Sequence, residues 1–146
     1  MIRVVVVDDH LVVRAGLSQL LGTETDIVLV GTAADGREAI DVVDRERPDV
    51  VLMDLSMPGG DGIEAIRQLS MAFPECRVLV LTSFSDRTTI TEALAAGADG
   101  YLLKHCEPEQ IVSAVRAVND GGSPFDPKVA RVLLNSRRIR SATSDL

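Results

Sequence analysis

A doubly wound α/β domain, a five-stranded parallel sheet with helices on both faces, is predicted by three features of this sequence. Five short apolar runs begin near residues 2, 26, 49, 77 and 99, the spacing of successive βα units. A helical apolar pattern follows each run, and right-handed crossovers lay such helices on both faces of one sheet. Four of the runs end in a chemically loaded residue: Ile2–Val7 in Asp8 and Asp9, Val50–Met53 in Asp54, Val78–Leu81 in Thr82, and Tyr101–Leu103 in Lys104. Ligands bind at the carboxyl edge of parallel strands. These five side chains are therefore expected to meet.

Taken in order, Val4–Val7 is β-branched throughout, as expected of a strand buried on both faces. The helix after it, about Leu11–Leu21, repeats Val13, Leu17, Leu20 and Leu21 at helical spacing. Ile27–Val30 is the second strand, and Asp35-Gly36 opens a helix with Ile40 and Val43 on one face. Pro48 ends the approach to the third strand, Asp49–Asp54. Gly59-Gly60 turns the chain into a helix carrying Ile66, Leu69 and Phe73, and Pro74 stops it.

The fourth strand is Arg77–Thr82. The helix after it, about Asp86–Ala96, has little apolar surface beyond Ile90, Ala93 and Leu94, so little packing opposes its movement. Gly97 suits its C-terminal cap. Asp99–Lys104 is the fifth strand. Pro108 then opens a helix at the position where proline is tolerated, with Ile111, Val115 and Val118 facing the core. The pattern changes after Gly121-Gly122. Ser123–Pro127 reads as a turn and about 127–136 as a short helix with Val129, Val132 and Leu133; Ser136–Leu146 has no apolar periodicity and reads as a flexible tail.

Composition limits the function classes. At 146 residues the chain fits one domain, and 46% hydrophobic with 25% charged residues argues against disorder. A net charge of −7 disfavours direct nucleic-acid binding, which needs clustered Lys and Arg. The one basic cluster, Arg131 with Arg137, Arg138 and Arg140, lies in the tail. Cys76 and Cys106 are isolated and read as reduced thiols of a cytoplasmic protein. No charged n-region precedes the first strand, and no apolar run approaches the roughly 20 residues that span a bilayer.

Three clustered carboxylates repel one another unless a cation sits among them. Mg²⁺ takes oxygen ligands, using one or two carboxylates together with phosphate oxygens. With a divalent ion bound, Asp54 stays ionised and can attack phosphorus to give an aspartyl-phosphate. Lys104 supplies a mobile positive charge and Thr82 a hydroxyl for the transferring group. The bland alternative makes Asp8 and Asp9 helix caps and Lys104 a surface partner. Five such residues on four strand ends outweigh it.

The stretches Val5-Val6-Val7-Asp8-Asp9-His10, Asp49 through Gly59, Val80-Leu81-Thr82-Ser83 and Gly97 through Lys104 together resemble the receiver domain of two-component response regulators, over residues 1–122. The resemblance implies a flavodoxin-like (CheY-like) sheet in the order 2-1-3-4-5. It implies that Asp54 takes a phosphoryl group from the phosphohistidine of a sensor histidine kinase. Asp9, Asp54 and the backbone carbonyl of Ser56 would ligate Mg²⁺, with Mn²⁺ as a possible substitute and Asp8 helping through water. Lys104 and Thr82 would engage the phosphoryl oxygens. Movement of Thr82 would accompany an inward turn of Tyr101, the switch pair.

The opening Asp8-Asp9-His10-Leu11-Val12-Val13-Arg14-Ala15-Gly16-Leu17 and the run Gly100 through Lys104 resemble the NarL/FixJ branch, whose receivers drive a LuxR-type helix-turn-helix. In that branch residues 123–146 would lead to a DNA reader absent from this chain, making it the receiver part of a longer transcription regulator. Phosphorylation would drive homodimer formation, with no membrane partner. The chain would catalyse only its own phosphorylation and dephosphorylation. His105 departs from the pattern, because many receivers carry proline directly after the lysine.

Two rival readings remain. An aspartyl-nucleophile phosphatase would need a carboxylate general acid two residues after Asp54, where Ser56 stands. A stand-alone or phosphorylation-independent receiver would act through protein contacts alone. Metal-ligand roles for His10 and His105 carry little weight. Asp61 and Asp86 read as turn or helix-start residues, and Phe84 as a neighbour of the route taken by attacking water.

Overall fold

The computed structural model describes residues 1–57 and 62–144, with side chains through residue 135. The five apolar runs are strands β1 (Ile2–Val7), β2 (Ile27–Ala33), β3 (Val50–Met53), β4 (Arg77–Thr82) and β5 (Gly100–Leu103). All pair in parallel, in the order β2-β1-β3-β4-β5. This is the expected doubly wound sheet. The switch in strand order between β1 and β3 opens the crevice in which such sheets hold ligands. Both strands end there on aspartates, Asp8 and Asp54.

The helices are α1 (Leu11–Gly22), α2 (Gly36–Glu46), α3 (Gly62–Ala72), α4 (Arg87–Ala96), α5 (Pro108–Asn119) and α6 (Pro127–Ser144). Alternation along the strands sorts the core into two layers. Val5, Val7, Val51 and Met53 pack with residues of α2, α3 and α4, whereas Val4, Val6, Val50 and Leu52 pack with α1 and α5. Every one of those eight is at most 1% exposed. Each buried aliphatic side chain contributes about 1.5–3 kcal/mol, which pins the short central strands in register.

Local signals set the helix starts. The Asp35 carboxylate accepts from the Glu38 N–H at 2.8 Å, and Asp86 accepts from the Thr89 N–H at 3.0 Å. Each satisfies one of the free donors at a helix N-terminus. Gly97 closes α4 in a left-handed conformation with φ 119°, where an added Cβ would also collide with Ser70. The Gly59-Gly60 turn, and the turn role for Asp61, fall outside the described residues.

The C-terminal part differs from expectation. Helix α6 extends to Ser144 rather than ending near residue 136, and so takes in most of the stretch read as a flexible tail. No glycine or proline follows Pro127, and Arg, Leu and Ala favour helix without needing an apolar face. Ser123–Pro127 is more than a turn. The Tyr101 N–H donates to the Pro124 carbonyl at 3.0 Å, and the Asp126 N–H donates to the Tyr101 carbonyl at 2.9 Å. Phe125 thus bridges to the open edge of β5 in parallel sense. Val129, fully buried, joins the α2–α3–α4 core layer.

Candidate functional site

Asp8 and Asp54 leave adjacent strands side by side. The Asp54 N–H continues the sheet ladder onto the Val7 carbonyl at 3.0 Å, and the Asp8 N–H does so onto Ala33 at 3.0 Å. Both residues are 2% exposed. Carboxylates so deeply placed need partners, or burial drives them to the neutral form. One ligand atom each from Asp8, Asp9, His10 and Asp54 all lie within 4.8 Å of one another.

Lys104, just past β5, supplies the opposing charge. Its Nζ lies 2.9 Å from Asp8 Oδ2 and 3.3 Å from Asp54 Oδ2. Its own N–H donates to the Thr82 carbonyl at 2.9 Å, which ties the lysine to the end of β4. Burial alone would raise the Asp8 carboxyl, but bonds from Lys104 and from the His10 N–H, with the lysine charge, hold it below the usual carboxylate range. Burial likewise works against the Lys104 ammonium. The bond to Asp8 and the charge of Asp54 prevail and raise it above the ordinary lysine value.

Asp54 is also bound by its near neighbour. The Ser56 hydroxyl sits 2.8 Å from both Asp54 oxygens, and the Ser56 N–H donates to Oδ1 at 3.1 Å. This hydroxyl contact was not part of the sequence reading, which placed Ser56 at the site through its backbone carbonyl. Asp9 is different. Its Oδ1 is buried without a hydrogen-bond partner among the described residues, although His10 Nδ1 stands 2.9 Å away in poor alignment. An orphaned carboxylate oxygen beside two further carboxylates is a donor set for a hard divalent cation. The residues present fit Mg²⁺.

Thr82 is fully buried at the end of β4, and its Oγ1 accepts a long bond of 3.4 Å from the Phe84 N–H. Tyr101 is fully buried as well, and its hydroxyl donates to the Phe84 carbonyl at 2.7 Å. The tyrosine therefore stands inside, with its phenol on the loop that leaves Thr82. Burial pushes that phenol well above its usual range. Phe84 is 42% exposed, and its main chain makes the bonds to Thr82 and Tyr101.

Sequence reasoning underweighted two residues. His10 brings its imidazole within 3.1 Å of Asp8 and 2.9 Å of Asp9, and Arg14 donates to the Asp8 carbonyl at 2.6 Å. Adjacency to the aspartate pair was the available signal for His10. For Arg14 it was the one-turn offset from His10, whose carbonyl accepts the Arg14 N–H. His105, where a proline was the familiar residue, lies in an exposed turn closed by the Cys106 N–H on the Leu103 carbonyl at 3.0 Å.

The profile of the response regulator receiver domain matches residues 4–116. Among curated proteins, the oxygen regulatory protein NreC of Staphylococcus epidermidis is 42% identical over 99% of this chain and 66% of its own length. The transcriptional regulatory protein DegU of Brevibacillus brevis is 38% identical over 94% of this chain and 58% of its own length. The chain thus spans about three fifths of such relatives. Among solved structures, a LuxR-family two-component response regulator from Aurantimonas sp. SI85-9A1 superposes with a TM-score of 0.88 at 34% identity, covering 92% of this chain and 96% of that one. The isolated receiver domain of RcsB from Salmonella enterica serovar Typhimurium, solved with the phosphomimetic BeF3⁻, has a TM-score of 0.82 at 28% identity, with 90% and 97% covered.

Proposed function

This chain belongs to the receiver-domain family of response regulators, and we propose that Asp54 accepts a phosphoryl group from the phosphohistidine of a sensor histidine kinase. One observation carries the reading. The Asp54 carboxylate, in a residue 2% exposed, lies 3.3 Å from the Lys104 ammonium and in one cluster with the carboxylates of Asp8 and Asp9.

In the transfer, an Asp54 oxygen forms a bond to phosphorus while the phosphorus–nitrogen bond of the donor breaks. The bonding pair returns to the imidazole of the kinase. The Ser56 hydroxyl must turn away from whichever Asp54 oxygen attacks. Lys104 follows the incoming charge from Asp8 toward the new phosphoryl oxygens, and Thr82 offers its hydroxyl to another. Asp8, Asp9, Asp54 and the Ser56 carbonyl would hold Mg²⁺, or Mn²⁺ in its place. When bound, the ion supplies positive charge that relieves the carboxylate repulsion and offsets that of the phosphoryl group.

Movement of Thr82, coupled to Tyr101, then shifts an equilibrium between two arrangements of the surface around α4 and β5. Homodimer formation and control of transcription through a helix-turn-helix domain outside this chain are the output we assign. The phosphatase reading is disfavoured by Ser56, whose hydroxyl lies on Asp54 where a general acid would be needed.

The test is direct. Acetyl phosphate with Mg²⁺ should add about 80 Da to the intact chain, the mass of one phosphoryl group. Asp54→Ala should abolish that gain. Retention of the added mass by the variant would overturn the assignment.

A further inference from the structure

Tyr101 is gripped from two directions. Its hydroxyl donates to Phe84, two residues past Thr82, while its backbone N–H and carbonyl pair with Pro124 and Asp126. The segment that begins α6 therefore lies on the same residue that reaches the loop from Thr82. Gly100 makes this approach possible, since an added Cβ would stand 2.8 Å from the Pro124 carbonyl oxygen and 2.9 Å from Leu79 Cδ1. Glycine in a strand often marks such a close passage of a second backbone. Farther on, Asp126 starts α6 by accepting the Lys128 N–H at 2.9 Å, and fully buried Val129 shares a core layer with Tyr101 and Ile90 of α4.

We propose that residues 123–135 are a phosphorylation-coupled latch: their docking on β5 and α4 and the buried position of Tyr101 stabilise each other. The proposal rests on the reading of Asp54 as acceptor. If the segment leaves, the β5 edge loses its hydrogen bonds and the tyrosine loses apolar cover supplied with Val129. Phosphorylation that draws Thr82 toward Asp54 favours the tyrosine in its inner position, and hence the docked segment. Linkage makes the effect reciprocal, so docking must strengthen phosphoryl binding by the same factor. The receiver then reports its state by fixing the direction in which α6 leaves the sheet.

The experiment uses the full 146-residue chain, with beryllofluoride and Mg²⁺ as the phosphoryl mimic and amide hydrogen exchange read by NMR. Saturation should shift the amides of Asp54, Ser56 and Lys104. It should also slow exchange of the Tyr101 and Asp126 amides about ten-fold, within the usual range of coupling between sites. Shifted site amides with unchanged or faster exchange at Tyr101 and Asp126 would overturn the latch alone. Silent site amides would overturn the acceptor reading and the latch with it. In Val129→Asp, with the amides of β1 and β3 still protected, beryllofluoride affinity should fall about five-fold or more. Unchanged affinity in that folded variant would also overturn the latch.

Discussion

The Lys104 ammonium stands closer to Asp8 than to Asp54, at 2.9 Å against 3.3 Å. The lysine thus offsets part of the pocket's negative charge, and in the proposed transfer it would shift its main attachment toward the phosphoryl group. Asp8 is 2% exposed and the Lys104 side chain 21% exposed. Removing one partner of so sheltered a pair leaves charge without compensation. Lys104→Ala should cost about 2–4 kcal/mol, somewhat reduced by the lysine's contact with water. Millimolar Mg²⁺ should restore part of the loss by binding the folded state. Urea melts with and without the ion measure both effects.

The same pair shapes the pH dependence of stability. Asp8 is lowered from an ordinary 3.8, so its stabilising contribution is present above that value and is lost as pH falls through the lower folded one. Lys104 is raised from 10.5, so its contribution is complete below that value and is lost as pH rises through the higher folded one. Buried Cys76, pushed up to about 12, adds to the alkaline loss because the unfolded thiol ionises first. Urea midpoints should therefore be flat from the ordinary Asp8 value of 3.8 up to the ordinary thiol value of 9.0, above which the alkaline loss begins. In Lys104→Met the acid arm should weaken, since Asp8 loses its main charged partner.

Ser56→Ala removes a hydroxyl that touches both oxygens of a buried carboxylate. Bonds to charged groups contribute about 1.5–3 kcal/mol, and the metal-free protein should lose stability on that scale. The backbone carbonyl remains, so mass spectrometry should still find the phosphoryl adduct. A variant that folds and takes no phosphoryl group would instead make the hydroxyl part of the chemistry.

Tyr101→Phe deletes the bond to the Phe84 carbonyl but keeps the ring in the core. Stability should fall by about 1 kcal/mol, the usual net contribution of one neutral hydrogen bond. In the parent chain Tyr101 is the only tyrosine, so tyrosinate absorbance reports it alone. Because burial raises the phenol, ionisation should appear together with alkaline unfolding rather than before it.

Gly100→Ala places a methyl group against the Pro124 carbonyl and Leu79. Overpacking of this kind costs about 1–3 kcal/mol. Hydrogen exchange should locate the damage at residues 124–126 and in α6, with β1 and β3 unaffected.

Much of this protein was legible in its sequence because its signals are local or strictly periodic. Val4–Val7 is apolar and β-branched on consecutive positions, which favours a strand covered on both faces, and the βα spacing places Asp8, Asp54, Thr82 and Lys104 on one edge. Those facts determined the sheet and the membership of the candidate site. Other relationships depended on chain segments meeting in space. The Ser56 hydroxyl on Asp54, the His10 imidazole against the aspartate pair and the inner position of Tyr101 follow from side-chain directions that residue order does not encode. The pairing of Pro124 and Asp126 with Tyr101 is the clearest case. Backbone carbonyls, and the N–H groups of all residues but proline, are alike along the chain, so only the tertiary fold, by leaving the β5 edge open beside Gly100, decided where that segment would lie.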